Sequence, residues 1–96
     1  MIRHIVFFSL TAPEHAEAVH AGLMVLSGIP ETRCFEVARN MRVDALSGEV
    51  DFVVYAEFDD EAALARYKAH PLYEEAIRKV RPLRDVRIAA DVEAGG

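Results

Sequence analysis

The chain has 96 residues, 52% of them hydrophobic, with 16 acidic against 11 basic side chains for a formal charge of −5. That length holds a single core. An acidic balance with no run of Lys or Arg argues against a nucleic-acid partner, because phosphate binding needs clustered cations. Cys34 is the only cysteine, so no intrachain disulfide forms and a thiolate metal site lacks ligands. It reads as a small buried hydrophobe in a strand.

Ile2–Leu10 is rich in β-branched and aromatic residues. As a strand it puts Ile2, His4, Val6, Phe8 and Leu10 on one face and Ile5 and Phe7 on the other. A strand apolar on both sides is covered on both sides. The run MIRHIVFFSL is too short to cross a membrane and lacks signal-peptide organisation, which predicts a soluble, cytoplasmic protein without membrane contact. Thr11-Ala12-Pro13-Glu14 has the spacing of a capping box with proline in the first turn. Ala16, Val19, Leu23 and Leu26 then form a helical stripe that ends at Gly28 and Pro30.

Thr32–Arg39 reads as a second strand, and Ser47-Gly48 marks the turn into a third, Val50–Phe58. The third strand divides Phe52, Val54, Ala56 and Phe58 from Val53 and Tyr55. Asp59 or Asp60 caps the helical stretch that follows. Its pattern meets His70-Pro71, where proline restricts the preceding residue and breaks the helix; apolar positions resume at Tyr73, Ala76, Ile77 and Val80. Pro82 stops that segment, and Val86–Val92 alternates as a last strand. Residues 1–92 form the predicted domain, and 93–96 a flexible tail. The order β-α-β-β-α-β is the split arrangement of an α+β, ferredoxin-like fold, with a four-stranded antiparallel sheet and two helices on one face. The other face keeps its apolar side chains, which predicts a homodimer paired through the open sheet face.

The segments HIVFFSL, LSGIPE, DFVVYAEF, ALARYKAHPLY and VRIAADV occur in that order and together resemble the stress-responsive A/B barrel (Dabb) family. The resemblance covers roughly the whole span from Met1 to Val92. It implies a dimeric α+β barrel. In a plant polyketide cyclase of this family, a Tyr and a His in the motif Tyr-x-x-His-Pro-x-His catalyse an aldol condensation between sheet and helices. Here that text is Tyr67-Lys68-Ala69-His70-Pro71-Leu72-Tyr73, so Tyr67 matches the Tyr while Tyr73 stands where the His would be. A phenol of ordinary pKa about 10 is a poor base near neutrality. The first-helix aromatic residues of the cyclase are replaced by smaller ones such as Val19 and Leu23.

The candidate catalytic residues are Tyr67 as hydrogen-bond donor to a keto or enolate oxygen, with His4 or His70 moving the proton. Val6, Phe8, Val19, Leu23 and Tyr73 are the expected ligand-binding wall. Each has a plainer reading too: His4 as a half-buried histidine bonded to backbone, His70 as a brace for the helix break, the tyrosines as core. His15 and His20 are five apart, not the i, i+4 spacing of a helical metal pair, so no metal and no cofactor is expected. Three functions stay open: a binding domain for a small apolar or aromatic carbonyl compound with lyase, cyclase or isomerase activity, a non-catalytic stress-associated structural dimer, and a cofactor-free monooxygenase.

Overall fold

Alternation within the first strand decides the layering. In a computed structural model that describes residues 1–95, β1 (Ile2–Leu10) buries Ile2, His4, Val6 and Phe8 on one face and leaves Ile5 and Phe7 half-covered on the other. The chain continues through α1 (Ala16–Met24), β2 (Cys34–Arg39), β3 (Phe52–Phe58), α2 (Glu61–Ala69), α3 (Pro71–Val80) and β4 (Arg84–Glu93). The sheet is antiparallel throughout in the order β2-β3-β1-β4. This is the ferredoxin-like α+β architecture, with the helices on one face. Phe52, Val54, Ala56 and Phe58 of β3 meet Val19, Leu23 and Leu26 in the core between the layers.

The long second helical stretch is two helices rather than one. Asp60 starts α2 by accepting the Ala63 N–H at 2.8 Å. His70 then takes φ −69°, ψ 141°, the extended geometry a following proline imposes, and ends α2 while starting α3. Pro71 fits the first turn of α3 because its missing N–H would be unpaired there anyway.

Thr11 does not cap the first helix. Ala12 stands at the start of a 3₁₀ turn, Pro13–His15, with no side-chain cap, and α1 follows from it. The Thr11 hydroxyl is drawn elsewhere, because the Thr11 N–H already donates to the Leu83 carbonyl at 2.9 Å and the hydroxyl donates to the same oxygen at 3.0 Å. Cys34 is not buried either. It alternates with Phe35 on the edge strand β2 and points to the uncovered face. The last strand runs into the stretch expected as tail: Glu93 pairs with Ile2, and the Ala94 N–H donates to the Met1 carbonyl at 2.8 Å. Gly96 lies outside the described residues.

The sheet face away from the helices is apolar over three adjacent strands. The register sets Ile5 beside Tyr55 and Ala90, and Phe7 beside Val53 and Ile88. Ile88 is 58% exposed, and Val86 and Val92 are also exposed. No helix of the described residues is long and apolar enough to cross a membrane.

On the covered side, α1 and α3 touch at Gly22. A Cβ there would stand 2.8 Å from Val80 Cγ2 and 3.2 Å from Lys79 Cβ, so the close approach needs glycine. Gly22→Leu should cost about 2 kcal/mol through overpacking, lowering the thermal midpoint by about 10 °C in a chain of this size. Thermal unfolding followed by circular dichroism checks it.

Candidate functional site

Between the sheet and the helices lies a cavity of about 340 Å³. Its floor is β1, through His4, Val6 and Phe8, with Val54 of β3 beside them. Leu23 and Leu26 close one side, and Ala76, Ile77 and Val80 of α3 another. Tyr67 and Tyr73 come from the two helices that meet at the His70-Pro71 break. Four cations, Lys68, Arg81, Arg84 and Arg87, complete the lining.

The break brings the aromatic groups together. The rings of Tyr67 and Tyr73 meet edge to face with centroids 5.3 Å apart, and Phe58 packs against Tyr67 in the same manner at 4.9 Å. Such T-shaped contacts match the negative face of one ring to the positive edge of the next. Tyr67 is only 1% exposed. Burial, reinforced by Tyr73, pushes its phenol well above the ordinary value, so it stays protonated and is a hydrogen-bond donor at physiological pH.

His4 is equally enclosed and sits 6.2 Å from Tyr67, centroid to centroid. Its Nδ1 is 2.5 Å from Asp91 Oδ1, the residue paired with it across β1 and β4. An ionised carboxylate only accepts, so Nδ1 carries the proton in the neutral ring and Nε2 holds the free lone pair. Burial pulls the His4 pKa below its ordinary value; Asp91 pulls it the other way, and the charges of Lys68 and Arg87 add to the lowering. The net result is a neutral imidazole oriented by an acid, the arrangement a general base requires. Among the described residues every fully buried polar side-chain atom has a partner, and none bonds Tyr67 Oη or His4 Nε2. Both atoms therefore keep some accessible surface, and both residues line the cavity.

Of the residues expected from sequence, His4, Tyr67, Val6, Phe8, Leu23 and Tyr73 share this cavity. Val19 and His70 do not line it. Val19 is wholly buried in the core, one helical turn from Leu23. His70 is occupied at the break, where its Nδ1 accepts the Leu72 N–H at 3.0 Å and caps α3. Asp91 and the four cations escaped the sequence reading. Asp91 is recognisable only once β1 and β4 are set in register. The cations do carry a signal, since Arg81, Arg84 and Arg87 recur every third residue across a helix end and a strand start.

The family model described as the stress responsive A/B barrel domain matches residues 2–94. A dimeric ferredoxin-like protein from Thermobifida fusca is 29% identical and superposes with a TM-score of 0.80 over 95% of this chain and 88% of its own. A Dabb-family protein with a ferredoxin-like fold from Mesorhizobium loti is 27% identical, with a TM-score of 0.82 over 99% and 97% of the two chains. A dimeric ferredoxin-like protein from Jannaschia sp. CCS1, at 21% identity, shares the fold with a TM-score of 0.82 over 97% and 98%. No curated protein matches the sequence.

Because His70 caps α3 through its ring, His70→Ala should lower stability by about 1 kcal/mol, and His70→Asn should recover most of the loss. Chemical denaturation of the three proteins checks this. A loss that Asn does not repair would mean the ring does something other than cap.

Proposed function

The chain belongs to the stress-responsive A/B barrel family, and from that premise we propose that it works as a homodimer whose cavity binds a small apolar or aromatic carbonyl compound and moves a proton on the carbon beside the carbonyl. One observation carries the chemistry: an acid-oriented imidazole, His4, and a phenol held in its protonated form by burial, Tyr67, line the same cavity. In this reading His4 Nε2 removes the proton while Asp91 stabilises the imidazolium that forms. Tyr67 Oη donates to the carbonyl oxygen as charge builds on it. Enolate formation of this kind underlies isomerase, lyase and aldol cyclase reactions alike. Tyr73 stands where the family's polyketide cyclase has its His, so the base here comes from the strand instead of the helix break. That substitution supports a different substrate geometry from the cyclase's. The cavity itself weighs against the reading in which these side chains merely fill a core.

The dimer follows from the open sheet face. Val86, Ile88 and Val92 extend the apolar surface of Ile5 and Phe7, and pairing two such faces buries all of them. Ile88→Lys together with Phe7→Lys should convert the protein to a monomer, measured by light scattering at micromolar concentration. A dimer that survives both changes would place the interface elsewhere.

Deuterium incorporation into the methyl group of acetophenone, followed by proton NMR in D₂O, tests the chemistry. Wild type should accelerate exchange over buffer. His4→Gln should abolish the acceleration, and Tyr67→Phe should reduce it about 10²- to 10³-fold, the usual cost of losing one oxyanion donor. The base must be neutral, and its pKa is lowered, so the rate should be flat at neutral pH and fall only below about 6.5, the ordinary histidine value. Folding stability shares that sign: the unfolded chain takes up the His4 proton first as pH drops, so stability from this group is present above that value and is lost as pH falls through the folded pKa. No acceleration by wild type at any pH would overturn the proton-transfer reading.

A further inference from the structure

The chain is acidic, yet one place in it is strongly basic. Of the eleven Lys and Arg residues, Arg33, Arg42, Arg66, Arg78 and Lys79 hold a carboxylate within 4.0 Å. Arg39 lies over the Phe52 ring at 5.3 Å, and Arg3 alternates with His4 onto the open face of the sheet. The remaining four, Lys68, Arg81, Arg84 and Arg87, have no carboxylate within that distance among the described residues, and all four line the cavity that holds His4 and Tyr67. Four unpaired cations around a single opening, in a molecule of net charge −5, is an inversion of the surrounding charge. Such a cluster raises the local potential and draws anions inward.

Two of the four have another explanation. Lys68 is in the last turn of α2 and Arg81 follows the last turn of α3, where a cation offsets the helix dipole. Arg84 and Arg87 have none, since they lie on a strand. Arg84 is half-buried and spends one N–H on the Asp85 carbonyl at 3.2 Å. Arg87 faces the helix layer opposite Phe8, and its Nη2 is 3.4 Å from Tyr73 Oη. Each guanidinium has five N–H donors in a rigid fork, so most remain free for an oxyanion. The lining thus combines buried apolar side chains, Val6, Phe8 and Leu23, with guanidinium groups that stay closer to solvent.

We infer that the natural ligand is an amphipathic organic anion, its carboxylate or phosphate group held by Arg84 and Arg87 with Lys68 and Arg81 in support, and its apolar body against Val6, Phe8 and Leu23. This rests on the ligand-binding part of the proposed function and adds to it the charge of the ligand. The anionic group anchors at the guanidinium groups, which leaves the carbonyl to be presented toward Tyr67 and His4. The charge of Arg87 acts on both of those groups, lowering each pKa, as expected of a cation that shares their space.

Titration of the protein with 3-benzoylpropionate, its neutral amide and phenyl phosphate, followed by heteronuclear NMR shifts, tests the inference. At least one of the two anions should bind tenfold or more tighter than the amide, and the preference should shrink as salt rises from 20 to 500 mM, as screening requires (a Debye length shortened about fivefold). Which anion wins separates carboxylate from phosphate ester. Arg84→Gln with Arg87→Gln should bring the ratio near one at unchanged thermal midpoint. Should that pair unfold, Lys68→Gln with Arg81→Gln gives the same trend with a smaller loss. Equal binding of anion and amide, a preference that survives in a folded Arg84→Gln, Arg87→Gln variant, or no binding of any of the three at millimolar concentration would overturn it. Acetophenone exchange without anion preference removes this inference alone, whereas anion preference without exchange removes the proton-transfer reading alone.

Discussion

Proline at position 71 fixes what the rest of the site depends on. Its ring bars residue 70 from the helical region, so the chain cannot run straight from Glu61 to Val80 and turns after Ala69. The turn costs a helix its continuity, and the His70 ring offsets part of that by capping the next helix. With the turn in place, Tyr67 from one helix and Tyr73 from the other meet edge to face over β1. The second helix can then approach Gly22 closely and deliver Arg81, Arg84 and Arg87 to the cavity lining as the chain passes into β4. A straight helix of the same sequence would spread these groups along its length.

Burial sets the chemistry within that frame. His4 and Tyr67 are each almost wholly removed from solvent, and desolvation pushes both toward their uncharged forms. The outcome is a pair with opposite competence: an imidazole able to take a proton and a phenol able only to share one. Asp91, a more exposed carboxylate one strand away, orients the imidazole without joining it in the dry interior. The arginines stay near the surface, where their charge is solvated, and act on the interior at short range.

Much of the fold was legible because its periodicities are clean. The strict alternation of Phe52–Phe58 and the apolar stripe of α1 define their buried faces without ambiguity. The helix break was readable from one dipeptide. What escaped was whatever depends on pairing between distant segments. Thr11 looked like a cap because local spacing says nothing of Leu83, which claims it. Asp91 became meaningful only opposite His4, 87 residues away in sequence. Val19 and Leu23 share a stripe, yet only Leu23 reaches the cavity, since the stripe identifies the inward face but not what lies beneath each position. The arginines form no run, and their three-residue spacing crosses from a helix to a strand and belongs to neither period.

Cys34 was expected inside and is outside, on the uncovered face of an edge strand. Being the only thiol in the chain, it gives a maleimide fluorophore or nitroxide spin label one address in the molecule, with no engineered cysteine needed. That address lies on the sheet surface opposite the cavity, so a reporter placed there would sense what approaches the outer face while leaving the His4 side chemically untouched.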